Sequence, residues 1–497
     1  MIDFMGIVPS LSLNSLESAI MYGPLNFPII LWCLIGIALF LTVSFGFINF
    51  TQVPKAIKLM VQSITPDKST NPELACSKEK GKKVSSITAF LSQAASNLGI
   101  GNMSGAAFAM FFAGPGVILW MLFFGSFFAI IKFCEITLGH KYKTIADGSV
   151  SGGFFYVLRN GLGSKNSKVL KKLGRVFGSI SAAIILICVS FWSAFQMNQI
   201  SVACLSENTF FKAAASSALG LADVNLTAVA FVVLIILIVA TILFGGIQRL
   251  GAVANAIVPF MALIYFGICM VVMFKHSENI APSLKTIFVS AFNGKSAAAG
   301  LAVVIITAMQ RIVFATEAGA GTAAIMHATS NVKYSARQGY TAFADGVLIS
   351  FILSVTAFTI LVSGVDFTSG TTMGVALLHE MFIQNGSILT YILTTCIFLF
   401  GFTSITANGY YIQKASGYLF GVRYKKLYIV LYVLFVLFAN FYQSVAIIKI
   451  IDILMMINFI PNLIGLLILW PDVKQELKVY LDSEKQASQP SQTNELS

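Results

Sequence analysis

The chain has 497 residues, 57% of them apolar and only 10% charged, with a formal net charge of +12. An ordinary soluble protein carries about 25% charged residues, so too few ionic side chains exist here to cover a surface in water, and lipid is the surrounding that remains. A soluble enzyme and a disordered scaffold are excluded; so is a nucleic-acid partner, because the bases lie in short segments between apolar runs, the pattern of the positive-inside bias.

Residues 1–26 contain no Lys or Arg, so the charged start of a cleavable signal peptide is missing and the first apolar run is read as a retained span. A spanning helix needs about 20 mostly apolar residues. Eleven stretches qualify: 27–50, 87–112, 115–137, 176–205, 224–245, 252–274, 297–326, 340–363, 387–411, 427–445 and 447–470. With loops placed on alternate sides, 25 Lys and Arg fall on one side and five on the other. That asymmetry predicts a multi-pass protein with its N-terminus outside and its C-terminus cytoplasmic; the expected membrane is the inner (plasma) membrane of a prokaryote. Six of the seven cysteines lie in apolar runs, which is packing usage and not a disulfide framework.

Two spans differ from plain lipid-facing helices. The second contains Ser96-Asn97-Leu98-Gly99-Ile100-Gly101-Asn102-Met103-Ser104-Gly105; the seventh contains Thr307-Ala308-Met309-Gln310-Arg311, then Glu317-Ala318-Gly319-Ala320-Gly321. Glycines and amides weaken helix at that depth, where freed backbone is tolerated only if buried in protein or lining a cavity. Close packing at small residues is the plainer reading of either segment alone. Each, however, opens a group of five spans, and interruptions recurring at matching places in two halves point to an inverted-repeat transporter with a midplane site. The predicted fold is all-α and polytopic, a five-plus-five inverted repeat with an extra N-terminal helix. Residues 1–86 hold that helix and a cytoplasmic loop, 87–275 the first repeat, 276–470 the second, and 471–497 a disordered cytoplasmic tail.

At these positions, and at Gly114-Pro115-Gly116 with Trp120-Met121, Lys132-Phe133-Cys134-Glu135, Phe195-Gln196 with Asn198-Gln199, Gly245-Gly246-Ile247 with Arg249, Arg311 with Val313-Phe314, and Tyr410-Tyr411 with Tyr418-Leu419-Phe420-Gly421, the chain resembles a known family. It is similar to the alanine or glycine:cation symporters, also called sodium:alanine symporters, of the amino acid/polyamine/organocation superfamily. The resemblance runs from the first span to the tenth. It implies the five-plus-five fold of neurotransmitter:sodium symporters and a reaction in which a small neutral amino acid enters with sodium.

A zwitterion at membrane depth needs a partner for each charge. The interrupted second span offers one: amides of Gly99, Ile100, Gly101 and Asn102, where helix is expected to resume, can hold a carboxylate at the positive end of the dipole, with Ser104 assisting. Asn102 can equally be a helix cap. Carbonyls near Ala95 and Leu98 suit a hard cation, and by resemblance Thr403 and Ser404 supply the side-chain part of that sodium site, although such hydroxyls commonly bond their own turn. No other cofactor is implied. Phe195 and Gln196 match the family's pair, Gln196 being read either as a substrate ligand or as a buried interhelical amide. Thr307 and Ala308 face the substrate by resemblance. Where the family usually has Thr, Gly and Trp, this chain has Ile100, Ala308 and Asn408. Trading an indole for the Asn408 amide adds volume and a polar partner, so glutamine, asparagine or serine joins alanine and glycine as candidate substrates.

Four charges remain inside spans. Lys132 and Glu135, three apart, are read as a structural ion pair. Arg311 and Glu317, six apart, stand on different helix faces unless the chain bends between them, and are read as a gate or inter-helix tie. A membrane transferase would need clustered acid, base or metal-binding groups, and no two of the four histidines have ligand spacing. Nor is there the ring-forming charge pattern of a channel. Proton coupling is the serious alternative to sodium: no Asp or Glu falls within the second or ninth span, but Glu317 keeps it open.

Overall fold

A computed structural model describes residues 29–64, 83–146, 149–205, 224–292, 299–368, 374–439 and 444–488. The start of the first predicted span, at 27–28, and the last nine residues of the tail lie outside these. The described chain is almost wholly helical, because a backbone in hydrocarbon must satisfy its own polar groups. In order come α1 (Ile29–Ser44), α2 (Val53–Ile64), α3 (Ser86–Asn97), α4 (Ile100–Ala113), α5 (Val117–Lys141), α6 (Lys168–Leu205), α7 (Val224–Phe244) and α8 (Gly246–Lys275). They are followed by α9 (Ile280–Phe292), α10 (Ala299–Thr316), α11 (Thr341–Ser363), α12 (Val375–Asn385), α13 (Ser387–Phe420), α14 (Lys425–Ala439) and α15 (Ser444–Ser488). Of these, α5, α6, α8, α11 with the turn before it, α13 and α15 are long and apolar enough to cross a bilayer. A hairpin pairs β1 (Thr144–Ala146) antiparallel with β2 (Ser149–Ser151).

Helices touch at small residues. A Cβ added to Gly125 of α5 would come within 2.4 Å of the Ser350 side chain on α11, and one on Gly346 of α11 within 2.4 Å of the Gly125 carbonyl. Both glycines are what let α5 and α11 cross closely. Beside that crossing Phe133 and Phe343 stack with centroids 5.2 Å apart. Outward, Phe260, Leu263, Phe274, Leu431 and Phe438 stand exposed, an apolar exterior that only lipid covers.

Two expectations are corrected. Residues read as loop form helices α2, α9 and α12. The tail expected to be disordered continues as helix α15 to Ser488, through Pro461 and Pro471. Val473, Leu477 and Tyr480 are buried along one face of it, and a helix that buries such a stripe on its own protein is held by packing. Charged contacts fasten the same stretch: Lys165 meets Asp472 at 2.9 Å and Lys141 meets Glu476 at 3.1 Å. Lys55 of α2 bonds Glu484 and lies 5.0 Å from the ring centroids of both Tyr340 and Tyr480.

Candidate functional site

The second predicted span is broken, between α3 and α4. Leu98 and Gly99 alone leave helical geometry, Gly99 being extended at φ −84°, ψ 174°. Helix resumes at Ile100, two residues earlier than expected. The break is narrow because side chains fill it. Gln196 of α6 accepts from the Ile100 N–H at 3.1 Å through Oε1 and donates from Nε2 to Ser404 Oγ at 3.3 Å. Ser404 in turn donates to the Ser96 carbonyl at 3.2 Å. Asn102 reaches back across the gap, Nδ2 donating to the Asn97 carbonyl at 2.6 Å. Glycine is needed at two places: a Cβ on Gly99 would sit 2.1 Å from Gln196 Nε2, and one on Gly101 would sit 2.6 Å from the Trp192 ring.

The seventh predicted span also breaks, but at one place only. Helix α10 stays coiled through Thr307–Arg311 and ends at Thr316; residues 317–322 are non-helical, and a short turn of helix, Ala323–His327, follows. Glu317 starts the break with φ +55°, a left-handed conformation that costs a non-glycine residue about 1–2 kcal/mol. Neighbouring helices hold the freed backbone. Asn462 donates to the carbonyls of Gly319 at 3.1 Å and Ala320 at 2.8 Å, and Asn458 to Ala320 at 2.9 Å. Glu135 Oε1 accepts from the Gly321 N–H at 3.0 Å.

Lys132 and Glu135 therefore do not form the expected ion pair. Lys132 bonds the Asp345 carboxylate of α11 and the Thr316 carbonyl, while Glu135 takes a backbone donor of the second break. They share a face of α5, as their spacing requires, but each meets a partner better placed on the element opposite. Among the described residues the Glu317 carboxylate accepts from the Thr322 hydroxyl within its own loop, not from another helix as an inter-helix tie would. Arg311 does bridge helices, its guanidinium lying 5.7 Å from the Phe108 ring centroid of α4.

Between the two breaks lies a cavity of about 1000 Å³, its open side included. Helix α4 lines it with Gly101, Asn102, Ser104 and Phe108; α6 with Trp192 and Phe195; α10 and the second break with Arg311, Phe314, Glu317 and Thr322; α13 with Asn408; and α15 with Asp452, Met455 and Asn458. Its wall is mostly apolar, with charge of both signs. Asn408 accepts from Ser96 Oγ at 2.7 Å through Oδ1, and its buried Nδ2 has no hydrogen-bond partner among the described residues. An apolar cleft with a few convergent polar groups is the usual form of a small-molecule site.

Comparison with known proteins identifies the lineage. The profile of the sodium:alanine symporter family matches residues 13–494. The chain belongs to the sodium:alanine symporter family. Among its relatives are the sodium/alanine symporter AgcS of Methanococcus maripaludis, 29% identical over 92% of this chain and 95% of that one, and the probable sodium/glutamine symporter GlnT of Bacillus subtilis, 31% identical over 93% and 91%. The fold is similar to that of the transporter MhsT, crystallised with L-phenylalanine, at a TM-score of 0.56 and 12% identity over 79% of this chain and 90% of that one. This member of the family is thus a multi-pass membrane amino-acid symporter and not an enzyme.

Set against the family's pattern, the cavity collects four of the predicted substrate residues: Gly101, Asn102, Phe195 and Asn408. Gly99, Ile100 and Gln196 lie together at the first break beside it. Thr307 and Ala308 are buried but do not line it; because α10 remains coiled, Arg311, Phe314 and Ala315 turn to the space instead. Of the residues predicted to hold the cation, Ser404 meets the first break, and Leu98 is part of it. Ala95 sits in the turn of α3 before it. Thr403 bonds its own turn through the Leu399 carbonyl at 2.9 Å and lies 3.7 Å from Met261 Sδ. Trp192 was missed by sequence reasoning, although it stands one helical turn before Gln196 on the same face. Asn458, Asn462 and Asp345 were missed too; a lone Asp in an apolar span is a signal that a buried cation waits elsewhere.

Proposed function

We propose that the chain carries a small neutral amino acid into the cell together with sodium, by alternating access, and that the substrate has a polar side chain such as that of glutamine, asparagine or serine. The observation that carries this reading is the unpartnered Nδ2 of Asn408 on the cavity wall. A buried donor left without an acceptor costs about 1–3 kcal/mol, and a carbonyl or hydroxyl oxygen on the substrate removes that cost where the methyl group of alanine does not. Arg311, Glu317 and Asp452 on the same wall supply both signs of charge for the ammonium and carboxylate.

Sodium is assigned to the first break, with oxygens of Ala95, Leu98 and Ser404 as ligands and Thr403 joining after its hydroxyl leaves its own turn. Neutral oxygens suit a hard cation, and among the described residues no cluster of three His, Cys, Asp or Glu offers a transition-metal site. Sodium draws α3 and α4 into register and completes the amino-acid pocket, so each ligand raises the affinity of the other. The eleven-span arrangement, with repeats over 87–275 and 276–470 and the N-terminus outside, remains our reading of the topology. The two broken segments support it: each opens a repeat, and each meets the other's flank.

The test is uptake into proteoliposomes under an imposed sodium gradient, with unlabelled amino acids competing. Glutamine, asparagine or serine should compete best, and replacing sodium by choline should lower uptake by at least about tenfold. Undiminished uptake without sodium at neutral pH overturns the coupling and makes a proton, with Glu317 as carrier, the alternative. Competition by alanine alone overturns the substrate assignment.

A further inference from the structure

We propose that the chain also binds a phosphate oxyanion, at a site separate from the substrate cavity, where the β-hairpin meets the last turns of α13 and the start of α14. A second pocket of about 650 Å³, open side included, is lined there by Ser151, Tyr156, Gln413, Lys414, Lys425 and Tyr428, with Gly417 and Val422. It shares no lining residue with the cavity between the breaks. Two lysines border it and no Asp or Glu does.

Two side chains make this a built site and not a chance gathering of surface lysines. Lys414 is only 7% exposed, its ammonium fixed by the Val150 carbonyl at 2.7 Å and Ser151 Oγ at 3.1 Å, so the hairpin aims a buried cation at a set position. Gln413 is 5% exposed, and neither its Nε2 nor its Oε1 has a hydrogen-bond partner among the described residues. Buried amides are nearly always bonded; one that borders a basic pocket with both atoms unsatisfied lacks a partner that a ligand entering the pocket can supply. An oxyanion accepts from Gln413 Nε2 and from ammonium groups at once, with charge-assisted strength. The first turn of α14 begins at Lys425 and adds the positive end of its dipole.

Two sources offer this chemistry: a free phosphate, or the phosphodiester of a lipid headgroup. Exposed Leu427, Leu431, Leu434 and Phe438 continue from the pocket along α14, so acyl chains could lie on that face while the headgroup enters. The experiment has one arm for each. The full-length protein in neutral detergent is melted with inorganic phosphate or with chloride at equal ionic strength. Separately, it is melted in phosphatidylcholine vesicles with and without phosphatidylglycerol. Wild type should gain at least about 2 °C in one arm, and Gln413→Leu and Lys425→Gln, both of which leave the Lys414 bonds to the hairpin in place, should each lose most of that gain. A gain with phosphate assigns the free anion; a gain only with phosphatidylglycerol assigns the headgroup. No gain for wild type in either arm, or a gain that both variants retain, overturns the site.

Discussion

Asn97, the last residue of α3, donates from Nδ2 to the carbonyl of Thr316, the last residue of α10, at 3.4 Å. One side chain thus joins the edges of the two helix breaks, and Thr316 is held from the other side by Lys132 at 2.7 Å. Removing the amide in Asn97→Ala should cost about 0.5–1.5 kcal/mol of stability, since Lys132 keeps the carbonyl satisfied. If the bond couples the breaks, the sodium concentration for half-maximal uptake rises severalfold as well. A lower melting temperature with an unchanged sodium response marks the bond as structural only.

Gly99→Ala puts a methyl group 2.1 Å from Gln196 Nε2. The amide must swing away and lose Ile100 and Ser404 together. The protein should still fold, because the clash is with the end of a flexible side chain, but uptake should fall by at least about tenfold, a loss of roughly 1.4 kcal/mol in coupled binding. Near-normal uptake by this variant would show that the Gln196 bridge is dispensable.

Lys132 and Asp345 are 1% and 0% exposed, so each alone is a buried, uncompensated charge. Lys132→Met or Asp345→Leu singly should destabilise by about 3–5 kcal/mol, and the two together by much less than the sum of the single losses. Additive losses in denaturant unfolding would mean that the two charges do not depend on one another.

Asn408→Trp fills part of the cavity and deletes its unpartnered donor. Competition profiles should move towards alanine and away from glutamine by about 1–3 kcal/mol, the usual effect of losing a buried polar partner. An unmoved profile removes Asn408 from the specificity determinants.

The end of α15 is fastened by Lys55–Glu484, Lys141–Glu476 and Lys165–Asp472. These pairs are partly exposed, so neutralising any one should cost under about 1 kcal/mol and less at high salt. Truncation before Asp472 also uncovers the surface under Val473, Leu477 and Tyr480, and should lower the melting temperature well beyond the three pairs combined. A truncated protein as stable as the full chain would show that this helix contributes little.

How far the sequence reaches depends on the range of the interaction. The breaks at Leu98–Gly99 and at Glu317 were legible because glycine and amide clusters are local signals, acting within a turn of the residues that carry them. Thr307–Arg311 looked interrupted for the same reason, yet it is coiled, since only the Glu-Ala-Gly-Ala-Gly run adds left-handed geometry. Partners were not legible. Spacing put Lys132 and Glu135 on one face but could not say that Asp345 and the Gly321 N–H stand opposite them. The helix beyond Pro471 was missed although Val473, Leu477 and Tyr480 recur at helical spacing, because charged residues between them masked a stripe that is a signal in its own right.

A carrier passes between its two faces twice in each cycle, once laden and once vacant. On the vacant passage the start of α4 would present a naked N–H in a dry interior, were it not that the Gln196 amide already sits on Ile100. If the amides at this break take a carboxylate, as the sequence leads us to expect, that ligand would displace a resident understudy instead of filling a void. Such an exchange would set a charge-assisted hydrogen bond against the neutral one it replaces, so the net gain is smaller than the new bond alone and the ligand can be let go again on the far side.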